Sequence, residues 1–298
     1  MLYRRLGNAE IDVSEVSFGS HLKKHNVEDE AGRRRQIHTG IDQGINLFDI
    51  YEHSYMQFEP MSRALAEVRH EVVISLVTVW RAADEVMEEI DYALKVFKRD
   101  SIDLYRLVLA GKWDDSEQRL ETLVEAQRQG KIGSIGAVVH YPEHLLEGFR
   151  RFPGVFGYIM APVSFCAPLL IREDCDLVPA IRQHDVGVMA IKAMAAADQQ
   201  GGYIFKLAPA GDELQALRQR GLSLGTLAVK YLLQSDVVST VMPAMNSAEE
   251  ILDNVRASGD GALTADEQRF IEIYQEEAAR VFPDMLRDGN YWVDPWKA

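Results

Sequence analysis

The chain is predicted to fold as an α/β protein: one (β/α)8 TIM barrel spanning residues 1–298, with a short N-terminal β-hairpin and an extra C-terminal helix. Three observations carry that expectation. Eight short apolar segments alternate with helical segments along the chain. Those segments are nearly continuous apolar runs, as parallel strands covered by helices on both faces should be. No long linker or composition break interrupts them, and Phe18-Gly-Ser-His21 is not the Gly-x-Gly-x-x-Gly turn of a rival doubly wound sheet.

The elements follow in order. Leu2–Arg5 and Ile11–Val13 flank Gly7-Asn8 and read as a hairpin. The eight barrel strands are expected at Glu15–Ser20, Ile45–Asp49, Val72–Val77, Ile102–Leu109, Ile132–Val139, Phe156–Val163, Val186–Ala193 and Val237–Met242. Helices are expected at Glu28–Gln43, Pro60–Arg69, Asp84–Phe97, Ser116–Gln129, from Pro142, at Ile171–His184 and at Ser223–Gln234. Gly130 suits a left-handed helix cap. Ser247 with Glu250, and Thr264 with Glu267, have capping-box spacing and open two late helices. The aromatic tail Tyr291–Trp296 is expected to fold back on the body.

Composition narrows the function. The 298 residues are 47% apolar and 26% charged, ordinary for a globular chain. A formal charge of −14 repels phosphate backbones and anionic lipids, so no nucleic acid or membrane partner is expected. No segment approaches about 18 uninterrupted apolar residues. Cys166 and Cys175 form no close pair; both are read as buried or idle thiols, and the cytoplasm is the expected location. Lys23-Lys24 and Arg33–Arg35 read as solvated faces.

In such barrels the reactive groups stand at the carboxyl ends of the strands. Gly44-Ile-Asn-Leu-Phe-Asp-Ile-Tyr-Glu-His-Ser-Tyr55 is the outstanding stretch: an apolar run that ends in an acid, then Tyr51, Glu52, His53 and Tyr55. His140 and Lys192 end the fifth and seventh strands. Asp49, His53, Tyr55, His140 and Lys192 are therefore the candidate acid/base groups, with a small molecule as the expected substrate. Val77, Val108, Val138, Val139 and Met160 predict an apolar wall. His21 and His25 with Asp49, Glu52 or His140 lack tight ligand spacing, so no metal is assigned.

Several motifs in the right order resemble the aldo-keto reductase superfamily. They are Tyr3-Arg-Arg-Leu-Gly7 with Val13–Gly19, Gly44-Ile-Asn-Leu-Phe-Asp49, Ile102-Asp-Leu-Tyr105, Gly130-Lys-Ile-Gly-Ser-Ile-Gly136, and Met242-Pro-Ala with Ser247–Asn254. The resemblance implies a barrel and a catalytic tetrad of aspartate, tyrosine, lysine and histidine. Asp49 matches the aspartate. The tyrosine position holds Ser54, with Tyr55 one residue on. Val77 and Val108 stand where the lysine and histidine belong. The resemblance thus implies a divergent member with an incomplete tetrad, whose Asp49 has lost its ion-pair partner. His53, His21, His140 and Lys192 are the candidate replacements.

The same resemblance implies NADP or NAD as cofactor, and the tail lacks the cysteine cluster of some relatives, so no iron–sulfur cluster is expected. Met160, Ser164, Pro243, Asp253 and Asn254 fall on nucleotide-contacting positions. No basic residue stands near Asn246 in sequence, which leaves NADP and NAD undecided. Three functions stay open: a nicotinamide-linked oxidoreductase with a rebuilt acid; a lyase, isomerase or cyclase using Asp49 with His53, His140 or Lys192; and a silent barrel that binds a ligand or partner. Oligomeric state is not legible.

Overall fold

A computed structural model describes residues 1–19, 30–51, 58–78, 81–166, 177–194, 209–243, 245–259 and 261–281. The hairpin forms first: β1 (Tyr3–Arg5) pairs antiparallel with β2 (Asp12–Ser14). Eight parallel strands follow in sequence order around one sheet: β3 (Phe18–Gly19), β4 (Leu47–Ile50), β5 (Val73–Thr78), β6 (Ile102–Leu109), β7 (Ile132–Val139), β8 (Tyr158–Pro162), β9 (Gly187–Ile191) and β10 (Val238–Met242). Val16 bridges Val241, and backbone bonds Ser17 N to Val241 O at 3.0 Å and Val241 N to Glu15 O at 2.9 Å join the two ends. The sheet is thereby a nearly closed (β/α)8 barrel.

The helices are α1 (Glu30–Asp42), α2 (Phe58–Ala64), α3 (Ala83–Phe97), α4 (Trp113–Arg128), α5 (Pro142–Arg151), α6 (Leu177–Gln183), α7 (Asp212–Gln219), α8 (Leu224–Leu233), α9 (Ala248–Val255) and α10 (Ala265–Val281). Both capping pairs form: Ser247 Oγ accepts from Glu250 N at 3.2 Å, and Thr264 Oγ1 from Glu267 N at 3.3 Å. Gly130 has φ +72°, the left-handed value its place after α4 requires.

Some boundaries differ from expectation. β3 starts only at Phe18, because Glu15 and Ser17 bond to β10 as an irregular seam instead of a full ladder; its expected end, Ser20, lies outside the described residues. α2 stops at Ala64, and turns occupy 65–71. α7 has no counterpart in the sequence reading; it buries only Leu214 and Leu217, too sparse an apolar face to signal itself. The tail from 282 on lies outside the described residues.

Strand periodicity divides the core in two. Outward side chains pack under the helices in one large cluster that includes Phe48, Ile74, Leu107 and Ile135. Inward ones form a second cluster of Leu47, Val77, Leu104, Val138, Tyr158, Met160, Met189 and Met242. The hairpin covers the amino-end mouth. Leu6 is wholly buried there, and Gly7 (φ +50°) lies so close to β9 that a Cβ would stand 2.1 Å from Gly187 N. Only glycine fits such a contact. The carboxyl-end mouth remains for chemistry.

Candidate functional site

Asp49 is where β4 should deliver it, inside the barrel and 4% exposed. Its partner is one that sequence reasoning missed. Arg106, fully buried on β6, donates from Nη2 to Asp49 Oδ2 at 3.0 Å, and its Nη1 lies 2.5 Å from Oδ1. The same Nη1 donates to Ser75 Oγ at 2.7 Å and to the Leu76 carbonyl at 3.2 Å. The expected loss of an ion-pair partner is therefore corrected. The signal was available: an arginine in alternation with Leu104 and Val108 must share their face of the strand, the barrel interior, where a charge needs a counter-charge.

The register explains the geometry. Asp49 pairs with Ser75, Val77 with Arg106, Arg106 with Gly136, and Gly136 with Tyr158. Val77 leaves the strand-end layer apolar, and the cation stands on the neighbouring strand instead. Gly136 has no side chain, so the Tyr158 ring fills its place; a Cβ there would meet Tyr158 Cζ at 2.3 Å. Tyr158 is fully buried, and burial pushes its phenol well above the ordinary value, against the pull of the Arg106 charge. Asp49, Ser75, Arg106 and Tyr158 thus form a polar knot in an otherwise apolar interior.

A second group stands at the mouth. His140 follows β7 and Lys192 follows β9, both half-buried. Burial, reinforced by the nearby Lys192 charge, lowers His140 to about 4. Burial lowers Lys192 to about 8. Lys192 also holds φ +64°, an uncommon backbone for a side chain of that size at a strand end. Most of the expected apolar wall is present: Val77, Val138 and Met160 are buried together, with Val108 packed against them, but Val139 alternates to the outward face and packs under the helices. His53, Tyr55, His21 and His25 lie outside the described residues. Among the described residues no cluster of three or more His, Cys, Asp or Glu could hold a metal.

The remaining nucleotide candidates scatter. Met160 lines the barrel interior, and Pro243 is buried just past β10. Ser164 is fully buried, its Oγ accepting from Cys166 N at 3.1 Å. Cys166 is a buried thiol that burial pushes up to about 12. Asp253 ties α9 to α8: its Oδ2 accepts from Ser223 Oγ at 2.7 Å, and its carbonyl from Thr226 Oγ1 at 2.7 Å. Asn254 is buried beside it, close enough to Gly225 that a Cβ there would lie 2.8 Å from Asn254 Oδ1. Arg33, expected on a solvated face, is buried instead, with its guanidinium 5.3 Å from the centre of the Phe18 ring.

The sequence pattern of the Aldo/keto reductase family matches residues 16–275. A curated protein of Bacillus subtilis (strain 168), "Uncharacterized oxidoreductase YqkF", is 24% identical over 93% of this chain and 97% of its own length. The structure of the aldo-keto reductase AKR11C1 from Bacillus halodurans in its holo form aligns with TM-score 0.75 at 25% identity, over 92% of this chain and 96% of that one. Its apo form aligns with TM-score 0.70 over the same shares. With its barrel, its inward aspartate and a family match over most of its length, the chain belongs to the aldo/keto reductase family.

Proposed function

We propose that the protein is an oxidoreductase linked to NADP or NAD that interconverts a small carbonyl and its alcohol. It does so with an acid/base site rebuilt at the ends of β7 and β9. The single observation that carries this reading is the coupled pair His140 and Lys192, shifted in opposite usefulness by one environment.

The donor set fits a nicotinamide. Val77, Val108, Val138 and Met160 offer an apolar wall for a flat ring. His140 and Lys192 offer hydrogen-bond donors for a carboxamide or a carbonyl oxygen. Pro243, Asp253 and Asn254 stand where the family resemblance puts the adenosine end. The family match and the holo form of the Bacillus halodurans relative support this reading.

When bound, reduced nicotinamide supplies a hydride to the carbonyl carbon. The chain must then supply one proton to the carbonyl oxygen. Lys192, at about 8, is still protonated at neutral pH yet acidic enough to donate. His140, at about 4, is neutral there and orients the oxygen as a hydrogen-bond donor without competing for the proton. Asp49 and Arg106 fix a dipole beneath the mouth whose position is set by packing on every side. Tyr55 and His53 are the other candidate donors.

The strained, depressed lysine also favours a second reading: a lyase, isomerase or cyclase using Asp49 with His53, His140 or Lys192. Titration with NADPH and NADH, followed by nucleotide fluorescence, separates the two. Saturable binding with turnover on a panel of carbonyls is expected. An absence of binding at millimolar nucleotide would sink the redox reading.

A further inference from the structure

Arg33 is a buried charge at the described mouth that the proposed chemistry leaves unused. It lies in the first turn of α1, at the carboxyl-end face of the barrel, and is 3% exposed. Among the described residues none of its three guanidinium nitrogens has a hydrogen-bond partner. Carboxylates of α1, of the turn after α2 and of α9 are committed to other partners among the described residues. Glu30 pairs with Arg63 at 2.6 Å, Glu67 lies 3.8 Å from Arg34, and Glu250 Oε2 accepts from Asn246 N at 2.6 Å. Among the described residues its guanidinium rests on the face of the Phe18 ring.

A guanidinium buried without a counter-charge or hydrogen bonds is costly to keep. Burial lowers its pKa to about 10, so it is still a cation at neutral pH. One helical turn on, Gln36 sits on the same face of α1. It donates from Nε2 to the Asn246 carbonyl, just before the Ser247 cap of α9, while its buried Oε1 has no partner among the described residues. An orphaned cation thus stands next to an orphaned acceptor, where α1 packs against α9. Gly19 ends β3 beside them; a Cβ there would lie 3.1 Å from the Pro243 carbonyl, which keeps the strand end bare.

We propose that Arg33 is the anchor of a phosphate-binding subsite between α1 and α9, with Gln36 Oε1 accepting from a hydroxyl of the same ligand. The ligand class is a phosphate ester or diphosphate. Where the reductase reading above holds, on which this identification of the source rests, the group is a phosphate of the nucleotide; otherwise it belongs to a phosphorylated substrate. The planar fork of arginine suits two phosphate oxygens at once, which a lysine ammonium does not.

The test compares thermal unfolding of the wild type, Arg33→Met and Arg33→Lys with inorganic phosphate, pyrophosphate and sodium chloride of matched ionic strength. Each variant is read against its own ligand-free Tm, so a change in basal stability does not confound the result. Pyrophosphate should raise the wild-type Tm saturably beyond chloride. Arg33→Met should show no rise beyond chloride, and Arg33→Lys at least tenfold weaker affinity. An equal rise in wild type and both variants, or none in the wild type, overturns the proposal. Should Arg33→Met not fold, the Arg33→Lys affinity decides alone, and an unchanged value counts against it. NADPH and NADH then identify the source. Loss confined to NADPH assigns the 2′-phosphate, and equal loss of both assigns the diphosphate. Pyrophosphate binding with no nucleotide binding keeps the subsite and removes the reductase reading.

Discussion

Arg106 on β6 is ion-paired with Asp49 on β4 across the intervening strand: Nη2 donates to Oδ2, and Nη1 lies against Oδ1 while donating its two hydrogens to Ser75 Oγ and the Leu76 carbonyl. Neither residue is at the surface. Removing one leaves the other charged and buried, so Arg106→Met should destabilise the fold by about 3–5 kcal/mol. The double variant Asp49→Asn/Arg106→Met should lose less than the sum of the single changes. Chemical denaturation of the four proteins measures the coupling, and strict additivity would show that the pair is not one unit.

The Tyr158 ring occupies the space that Gly136 leaves. Gly136→Ala should therefore cost about 1–3 kcal/mol through overpacking, although alanine is a small residue. A Tm within a degree of wild type would mean the ring has somewhere else to go.

Lys192 sets an alkaline limb. If it donates the proton, reduction should fall as pH rises through about 8, the value burial gives it. Lys192→Met should lower kcat by roughly 10²–10⁴ and abolish that limb. A limb that persists in the variant belongs to another acid, with Tyr55 and His53 next in line.

His140 sets an acid limb in stability. Its folded value, about 4, lies below the ordinary 6.5. The unfolded chain therefore binds a proton between those values when the folded one does not. The contribution is complete above about pH 6.5 and is lost as pH falls through about 4, with an upper bound of about 3 kcal/mol for this half-buried ring. His140→Gln should flatten the stability profile between pH 4 and 6.5 in urea titrations.

Lys230 and Glu267 join α8 to α10 through two hydrogen bonds of 2.9 and 3.0 Å. Lys230 is 2% exposed. Glu267→Gln would take the Glu267 charge away from that ammonium and also weaken the Thr264 cap, so a loss of about 1–3 kcal/mol is expected by denaturation. An unchanged midpoint would show that water reaches the lysine.

The barrel was legible because its strands announce themselves: β6 and β7 begin and end where the apolar runs do. The site was legible only in part. Asp49, His140 and Lys192 could be placed because a strand end is a position along the chain. Arg106 and Arg33 could not, for a shared reason. Each is a charge whose meaning depends on what lies across a layer: Asp49 on a strand 57 residues away, or the space between α1 and α9. Arg33 belonged to a run of three arginines that looked solvated, and only the helical phase separates it from Arg34 and Arg35. The sequence neighbourhood of Asn246 is free of basic residues, yet α1 brings Gln36 to it, and Arg33 stands one helical turn before Gln36.

The seam between β3 and β10 carries a consequence for how the molecule is made. The Ser17–Val241 bond joins residues near opposite ends of the described chain. A ribosome must have released nearly all of the barrel before the bond can form. Until then, the edges of β3 and β10 are unsaturated, and both are templates for pairing with another chain. Contacts of such high sequence separation slow the final step of folding. The two-residue β3 blunts one of those edges, because so short a strand offers an intruder little backbone to pair with. The irregular seam, which costs the finished barrel a full ladder, shields its nascent form from aggregation.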